Sequence, residues 1–232
     1  MRRIKRISIK KLVCIAMFAA LAYAVTYIKI PVAFLSLEVK DSLIVLCTLI
    51  FGLPAGLAIA VLVPLLELIT HSSTGVYGLV MNILSSVTFS MVTGLIYKYK
   101  KNFYGAIIGL ISGIVSVTAV MLVANMLITP YYMGVSADAV IKLIPTMLLP
   151  FNLVKATLNG AIVLLLYKPI STVLRRAGFI EKRIREGDGT LEDTMTQSSE
   201  KKTFGLRSVL VTLIAVAIIA GSLCIIYFVL RK

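Results

Sequence analysis

Residues 103–128 read FYGAIIGLISGIVSVTAVMLVANMLI, and no charged side chain interrupts them. About 20 apolar residues are enough for an α-helix to cross the roughly 30 Å hydrocarbon core of a bilayer. This stretch is therefore predicted to be one membrane-spanning helix. A helix of this kind needs lipid or other apolar helices around it, which sets the expectation for the rest of the chain.

The composition of the whole chain agrees with that expectation. Of 232 residues, 59% are hydrophobic, and the mean hydropathy is +0.99. Soluble domains are about 45–50% apolar, and a soluble core of this length would leave large apolar patches in contact with water. We therefore predict an all-α integral membrane protein whose outer surface faces the lipid bilayer.

Seven segments are apolar and long enough to be membrane helices. They lie near residues 9–29, 40–53, 54–70, 78–97, 103–128, 145–167 and 206–230. The second and third are short and adjoin at Gly52-Leu53-Pro54, where a proline fits the first turn of a new helix. These two segments are predicted to form a tight helical hairpin.

Polar sequence divides the seven segments into three parts. Residues 1–170 are predicted to be a six-helix transmembrane bundle that forms a substrate-binding core. Residues 171–205 carry charges of both signs around EGDGTLEDTMTQSSEKK and are predicted to be a cytoplasmic linker. Residues 206–232 are predicted to hold one additional C-terminal transmembrane helix.

The basic residues determine the predicted orientation. The chain has 24 Lys and Arg and a net charge of +14. With a cytoplasmic N-terminus, 18 of them fall on the inner side and five on the outer side, in agreement with the positive-inside rule. We therefore predict a multi-pass plasma membrane protein with outer loops at 30–39, 71–77 and 129–144. No nucleic-acid partner is expected, because the basic clusters lack interleaved aromatic residues.

Reactive residues give no pattern of an enzyme or a metal site. Cys14, Cys47 and Cys224 lie in apolar stretches, at the spacing of neither a zinc site nor a disulfide framework. The sequence contains no H-E-x-x-H or G-x-S-x-G motif, so no catalytic residue, metal or cofactor is expected. It also lacks the G-x-x-x-x-G-K-[ST] phosphate loop, so energy for transport would come from another subunit or a gradient.

Two ionisable residues lie within predicted spans, where burying a charge costs roughly 3 kcal/mol or more. Glu67 is near the outer end of the third helix, and a structural or interfacial role is favoured over ligand contact. Lys155 lies deep in the sixth helix. Asn152, Lys155 and Asn159 follow the spacing i, i+3, i+7, so they share one helix face within about 60°.

Breaks in the backbone lie just above this polar face. Pro145 and Pro150 lack N–H groups, and irregular backbone is tolerated in a membrane where it lines a cavity. Asn125 lies near the outer end of the fifth helix, five residues before Pro130. We predict one polar binding cavity, open to the outside, from the fifth and sixth helices. Asparagines that only bridge helices are the alternative.

Such a cavity suits a planar polar heterocycle. An amide offers a donor and an acceptor side by side to an imide edge, and an ammonium donates to a ring carbonyl or nitrogen. Aromatic residues in or beside the outer loops would stack on the ring, although each alone also fits an interfacial belt. They are Phe34, Tyr77, Tyr131, Tyr132 and Phe151.

Small residues recur every fourth position on two helices. This spacing lets helices approach closely, either within the bundle or against a partner subunit. The two strips are Ala16, Ala20 and Ala24 on the first helix and Gly105, Gly109 and Gly113 on the fifth.

Two runs resemble a known family. NMLITPYYMGV at 125–135 and LIPTMLLPFNLVKATLNGAI at 143–162 resemble riboflavin-specific substrate-binding subunits, or S components, of energy-coupling factor (ECF) transporters. The alanine pattern of the first helix, the short second and third helices, and YGLVMNILSS at 77–86 are similar too. The resemblance covers about residues 8–170, and the seventh helix and its linker depart from the six-span pattern.

The resemblance implies a subunit that captures riboflavin from outside as a transported ligand and hydrolyses no ATP itself. It implies docking onto one transmembrane coupling protein and two ATPases. Ala16 and Ala20 correspond to the face that contacts the coupling protein, and Ala24 extends that face.

The flavin site of the family corresponds here to Asn125, Asn152 and Lys155, with the loop after the first helix as a lid. The full predicted substrate-binding set is Asn125, Tyr131, Phe151, Asn152, Lys155 and Asn159. Two alternatives stay open: an S component for another vitamin, and a stand-alone secondary transporter. No convincing inverted repeat favours the second alternative.

Overall fold

The computed structural model describes residues 8–33, 35–72, 74–99 and 101–179. In this part the chain is helical apart from one short hairpin. The helix predicted at 206–230 and most of the predicted linker lie outside the described residues, as does Phe34. The described residues thus cover the predicted six-helix core from residue 8 onward, apart from positions 34, 73 and 100.

Helices follow one another along the described chain with short connections. The elements are α1 (Ile9–Val25), β1 (Ile30–Val32), β2 (Leu35–Leu37), α2 (Lys40–Phe51), α3 (Leu53–Thr70), α4 (Gly75–Tyr99), α5 (Phe103–Met133), α6 (Ala137–Leu143), a π-helical turn (Ile144–Leu148) and α7 (Leu149–Arg176). From α6 to the end of α7 the chain is one helical run that the π-helical turn interrupts.

Four helical runs in the described ranges are long and apolar enough to cross a membrane. They are Leu53–Thr70, Gly75–Tyr99, Phe103–Met133 and Ala137–Arg176. The predicted helical membrane architecture is confirmed at this level. The predicted first and second spans are the shorter helices α1 and α2, of 17 and 12 residues. At 1.5 Å per residue, α2 is about 18 Å long, less than the hydrocarbon thickness. It packs inside the bundle against α1, α3, α4 and α7.

The tight connection between α2 and α3 is explained by its glycine and proline. Gly52 has a φ of 98°, a conformation that residues with a Cβ rarely adopt. Pro54 lies in the first turn of α3, where its missing N–H has no helical partner to lose. The predicted helical hairpin is confirmed.

A β-hairpin joins α1 to α2, and the sequence did not predict it. α1 ends at Val25 rather than at residue 29. Ile30 pairs with Leu37 and Val32 with Leu35 in an antiparallel register. Strands of three residues are too short for an alternating pattern to stand out in the sequence.

The outer loop predicted at 129–144 is largely helical, which corrects that prediction. α5 continues through Pro130 to Met133, and α6 begins at Ala137. A proline within a helix removes one hydrogen bond, and here the helix goes on for three more residues. It ends at Gly134, whose φ of 65° is left-handed.

Pro145 in the π-helical turn and Pro150 in the first turn of α7 change the helix as the sequence predicted. Because Pro150 has no N–H, the usual i to i−4 ladder cannot run through it unbroken. The residues just before it form the π-helical turn, in which the Leu149 N–H donates to the Ile144 carbonyl five residues earlier. π-helical turns of this kind occur frequently at functional sites.

Close packing of α4 against α5 accounts for two of the glycines on α5. A Cβ on Gly113 would lie 2.4 Å from Thr93 Oγ1, and a Cβ on Gly109 would lie 2.9 Å from the Thr93 carbonyl oxygen. Thr93 Oγ1 also donates to the Gly109 carbonyl at 3.2 Å. These two glycines therefore serve contacts within the bundle, one of the two roles that the sequence left open.

Candidate functional site

A cavity opens at the end of the bundle that carries the hairpin. It encloses about 680 Å³ of space not filled by atoms, and this volume includes open solvent at the mouth. The hairpin, α4, α5 and α7 form its wall. Its polar and aromatic wall residues include Ser36, Tyr77, Asn82, Asn125, Tyr132, Phe151, Asn152 and Lys155.

Most of the predicted substrate-binding residues meet in this cavity. Asn125, Phe151, Asn152 and Lys155 line it. Asn159 instead lines a smaller cavity of about 240 Å³, whose wall also includes Asn152 and Lys155. The three polar residues of α7 thus share one face, as their spacing predicted.

Tyr131 does not line the cavity. It is 77% exposed on the outside of α5, whereas the next residue, Tyr132, lines the cavity together with Tyr77. Consecutive residues of an α-helix point about 100° apart, so one of the pair faces inward and the other outward. The ring centroids of Tyr77 and Tyr132 are 6.4 Å apart.

Two of the three amides in the cavity wall, Asn125 and Asn152, are oriented by the backbone. Asn152 Nδ2 donates to the Leu148 carbonyl at 2.8 Å, and Asn125 Nδ2 donates to the Met121 carbonyl at 2.7 Å. Because a carbonyl only accepts, each amide nitrogen must point to it. Asn152 Oδ1, for which no hydrogen bond is found among the described residues, is then left as an acceptor for a ligand.

Lys155 contributes the positive charge of the cavity. In the part of the chain that the structure describes, its ammonium forms no ion pair within 4 Å. It acts on Glu38 at longer range: burial alone raises the pKa of the Glu38 carboxyl, but the charge of Lys155, followed by those of Lys40 and Lys29, lowers this pKa to about 2. Glu38 is therefore a carboxylate at neutral pH, and Lys155 keeps its donors for a ligand.

Asn159 is occupied by the protein itself. Its Oδ1 accepts from the Ser42 N–H at 2.8 Å, and its Nδ2 donates to the carbonyls of Glu38 and Lys155, both at 2.9 Å. These bonds attach the first turn of α2 to the middle of α7. A role for Asn159 in substrate contact stays a prediction, and its present partners indicate a structural role.

Four charged side chains form a cluster beside the cavity. Lys40 Nζ lies 2.7 Å from Glu38 Oε2 and 2.5 Å from Glu67 Oε2, and Lys29 Nζ pairs with Glu67 Oε1 and lies 3.3 Å from Glu38 Oε1. Glu38, Lys40 and Glu67 are 1–3% exposed. Two positive and two negative charges balance, which offsets part of the cost of their burial.

This ion cluster corrects the sequence analysis on two points. The five basic residues counted on the outer side include Lys29 and Lys40, but Lys40 is buried and Lys29 is partly buried against carboxylates. Glu67 was placed near the interface, whereas it is 3% exposed. Its predicted structural role agrees with these contacts.

Asp41 is a further buried carboxylate that the sequence analysis did not single out. It is 3% exposed, accepts hydrogen bonds from Ser85 and Ser86, and lines the smaller cavity with Lys155. It lies next to Lys40 at the start of α2, within the segment predicted at 40–53. Only the depth of α2 in the bundle makes it a buried group.

Asn82 of α4 is the cavity residue that sequence reasoning missed. It lines the cavity, and its Nδ2 donates to Glu67 Oε2 at 3.3 Å. A signal was present, since Asn82 is an amide inside the apolar run YGLVMNILSS, and amides within spans often face other helices. The sequence-based prediction built the cavity from the fifth and sixth helices alone.

The alanine strip of α1 faces outward. Ala16, Ala20 and Ala24 are all exposed, as are their apolar neighbours Met17 and Leu21. A smooth apolar face on a helix at the edge of the bundle is free to contact lipid or another membrane subunit.

Metal binding has no support in the described residues. Within residues 8–179, apart from the three undescribed positions, His, Cys, Asp and Glu form no group of three or more that could hold a metal ion. The polar groups that converge in the cavity are amides, hydroxyls and one ammonium, which suit an organic ligand.

Comparison with known proteins identifies the class. A family model described as the substrate-specific component of ECF transporters matches residues 10–167. The match covers more than half of the chain, so the chain belongs to the family of ECF transporter substrate-specific components. It is a transport subunit and not an enzyme, and the resemblance recognised in the sequence is confirmed.

Individual relatives are similar over most of their length. "Riboflavin transporter RibU" of Staphylococcus aureus (strain TCH60) is 29% identical over 177 residues, which cover 72% of this chain and 93% of the relative. "Riboflavin transporter FmnP" of Bacillus subtilis (strain 168) is 27% identical over 160 residues, which cover 63% and 84%. A solved structure, titled "Structure and mechanism of the S component of a bacterial ECF transporter", matches with a TM-score of 0.63 and 29% identity, over 72% of this chain and 98% of that chain.

Proposed function

We propose that this chain captures riboflavin at the outer face of the plasma membrane and delivers it to an ATP-driven energising module. The observation that carries the proposal is the cavity in which Asn125, Asn152 and Lys155 converge beside aromatic rings. The names of two similar proteins, both riboflavin transporters, support the choice of vitamin.

Riboflavin has the functional groups that this cavity can satisfy. The pyrimidine edge of its ring system presents a carbonyl, an N–H and a second carbonyl in a row. Lys155 and the second N–H of the Asn125 amide supply donors for the carbonyls, and Asn152 Oδ1 accepts from the ring N–H. The aromatic side chains in the cavity wall provide faces on which the flat ring stacks.

Energy for release and transport comes from other subunits in this proposal. The exposed strip of Ala16, Ala20 and Ala24 contacts a transmembrane coupling protein, which carries two cytoplasmic ATPases. The N-terminus is cytoplasmic, and residues 206–232 add one further span to the six-helix core. The cytoplasmic linker predicted from residue 171 begins after α7 and extends to residue 205, because α7 continues to Arg176. Family membership and the positive-inside distribution of Lys and Arg support this arrangement.

Titration of the purified full chain with riboflavin tests the proposal. We expect saturable quenching of flavin fluorescence as the ring stacks in the cavity. If protein purified without bound ligand does not quench the fluorescence of added riboflavin, riboflavin binding is contradicted. Competition by thiamine, biotin or folate would identify an S component for another vitamin.

Uptake into vesicles tests the energy source separately. Riboflavin accumulation should require the coupling protein, the ATPases and ATP. Accumulation in vesicles that contain only this chain would instead identify a stand-alone secondary transporter.

A further inference from the structure

We propose that Glu67, which does not itself line the cavity, is a positioning residue for riboflavin binding. Its two carboxylate oxygens hold both ends of the hairpin against α3 and orient Asn82 in the cavity wall. This inference rests on the proposed function, because riboflavin is the ligand whose binding it describes.

Glu67 holds the hairpin at both ends. Lys29 directly precedes β1, and Lys40 is the first residue of α2, three residues after β2 ends. Glu67 Oε1 pairs with Lys29, and Oε2 accepts from Lys40 at 2.5 Å. Between these two attachments, Ser36 of the hairpin lines the cavity. One buried carboxylate on α3 therefore determines where this side of the cavity wall lies.

Glu67 also determines what Asn82 presents to the ligand. A carboxylate only accepts hydrogen bonds, so the Asn82 nitrogen must be the atom that faces Glu67 Oε2, at 3.3 Å. No hydrogen bond to Asn82 Oδ1 is found among the residues described, and Asn82 lines the cavity. Asn82 thus offers an acceptor, which selects a ligand with an N–H or O–H donor at that position.

The cluster keeps a second carboxylate when Glu67 is changed. Glu38 also contacts both lysines, at 2.7 Å from Lys40 and 3.3 Å from Lys29. In Glu67→Gln the buried Lys40 therefore retains one counter-charge. Lys29→Met, at a partly exposed position, releases the first hairpin attachment and leaves the pair of Lys40 with Glu67 in place.

Release of riboflavin measures the hold on the hairpin. The full chain, Glu67→Gln, Lys29→Met and the conservative Lys29→Arg are loaded with riboflavin, and release is followed as the recovery of flavin fluorescence after dilution. Asp138→Asn, at an exposed carboxylate on α6, is the control. We expect release about tenfold faster in Glu67→Gln and Lys29→Met, because loss of a buried ionic contact acts mainly on dissociation. Lys29→Arg and Asp138→Asn should stay close to the unchanged chain.

A double-mutant cycle measures the orientation of Asn82. If Glu67 acts through Asn82, the loss of affinity in the double variant of Glu67→Gln and Asn82→Leu should be smaller than the losses in the two single variants combined. If the fold-loss of affinity in the double variant equals the product of the fold-losses in the two single variants, this part of the inference is overturned.

The outcomes separate this inference from the function it rests on. Faster release in Lys29→Met, together with an unchanged release rate in Lys29→Arg, supports the inference even if Glu67→Gln does not fold. Release rates equal to that of the unchanged chain, with only a lower yield of folded protein, would mean that Glu67 is merely structural and would overturn it. Absence of riboflavin binding by the unchanged chain would overturn the proposed function and this inference together.

Discussion

Among single residues, Lys155 differs from the other two lysines beside the cavity in having no ion pair within the described chain. Lys29 and Lys40 each contact two carboxylates, whereas Lys155 faces two cavities. A cation at membrane depth without a direct counter-ion is costly unless a function retains it. Its donors are available to a ligand.

Changing Lys155 to Met should weaken riboflavin binding by about 1–3 kcal/mol, the range for losing a hydrogen bond to a buried charged group. The fold should persist, because methionine fills the same volume and removes a charge from the interior. Fluorescence titration gives the affinity, and thermal unfolding checks the fold. Lys142→Met, at an exposed lysine of α6, is the matched control. An unchanged affinity would remove Lys155 from the site.

Changing Asn159 to Ala should lower stability more than affinity. It leaves the Ser42 N–H and the Glu38 carbonyl without their buried partner, which costs about 1–3 kcal/mol of unfolding free energy. The midpoint of thermal unfolding in detergent measures this loss. Thr172→Ala, an exposed hydroxyl on the same helix, should have little effect. Intact stability with a loss of affinity as large as that of Lys155→Met would instead place Asn159 in the substrate site.

At the scale of helices, packing distinguishes two strips of small residues that look alike in sequence. Gly109 and Gly113 of α5 face Thr93 and Phe89 of α4 at distances that admit no side chain. The alanines of α1 face outward. The same spacing therefore serves an internal contact on one helix and an open face on another.

Gly113→Val should destabilise the bundle by about 1–3 kcal/mol, the usual cost of overpacking. The new Cβ would lie 2.4 Å from Thr93 Oγ1 and 2.7 Å from Phe89 Cδ2, so α4 and α5 must separate. A lower thermal midpoint relative to Ala119→Val, an exposed position of the same helix, would show this. Equal midpoints for the two variants would mean that α4 and α5 do not pack this closely.

Ala16→Leu and Ala20→Leu should spare riboflavin binding and lower transport. Both positions are exposed and away from the cavity, so a larger side chain there would hinder only a partner subunit. Binding is measured on the purified chain, and uptake on the chain assembled with its energising module. Val115→Leu, 63% exposed on α5, is the control for bulk on a lipid-facing helix. Loss of binding with intact assembly would assign the alanine strip to the bundle itself.

At the scale of the whole molecule, the distribution of basic residues predicts which ends of the chain face the cytoplasm. An epitope tag after Lys232 should react with antibody on intact cells, because the last predicted span runs outward from the cytoplasmic linker. A tag at the N-terminus should react only after the membrane is permeabilised. Protection of the C-terminal tag in intact cells would mean that residues 206–230 do not cross the membrane.

The features that depend on local pattern could be predicted from the sequence. Apolar length predicts the helices, the i, i+3, i+7 spacing places Asn152, Lys155 and Asn159 on one face of α7, and two prolines predict the break above them. These inferences hold because helix geometry relates neighbours in sequence to neighbours in space.

Which polar residues serve the ligand and which serve the fold depends on contacts between distant parts of the chain. Glu67 meets Lys29 across 38 positions, and Asn159 meets Ser42 across 117. The local sequence does not distinguish a lysine that faces solvent from a lysine that pairs with a buried carboxylate. The difference comes from how deeply α2 and the hairpin pack against α3 and α7, and no local pattern encodes that depth.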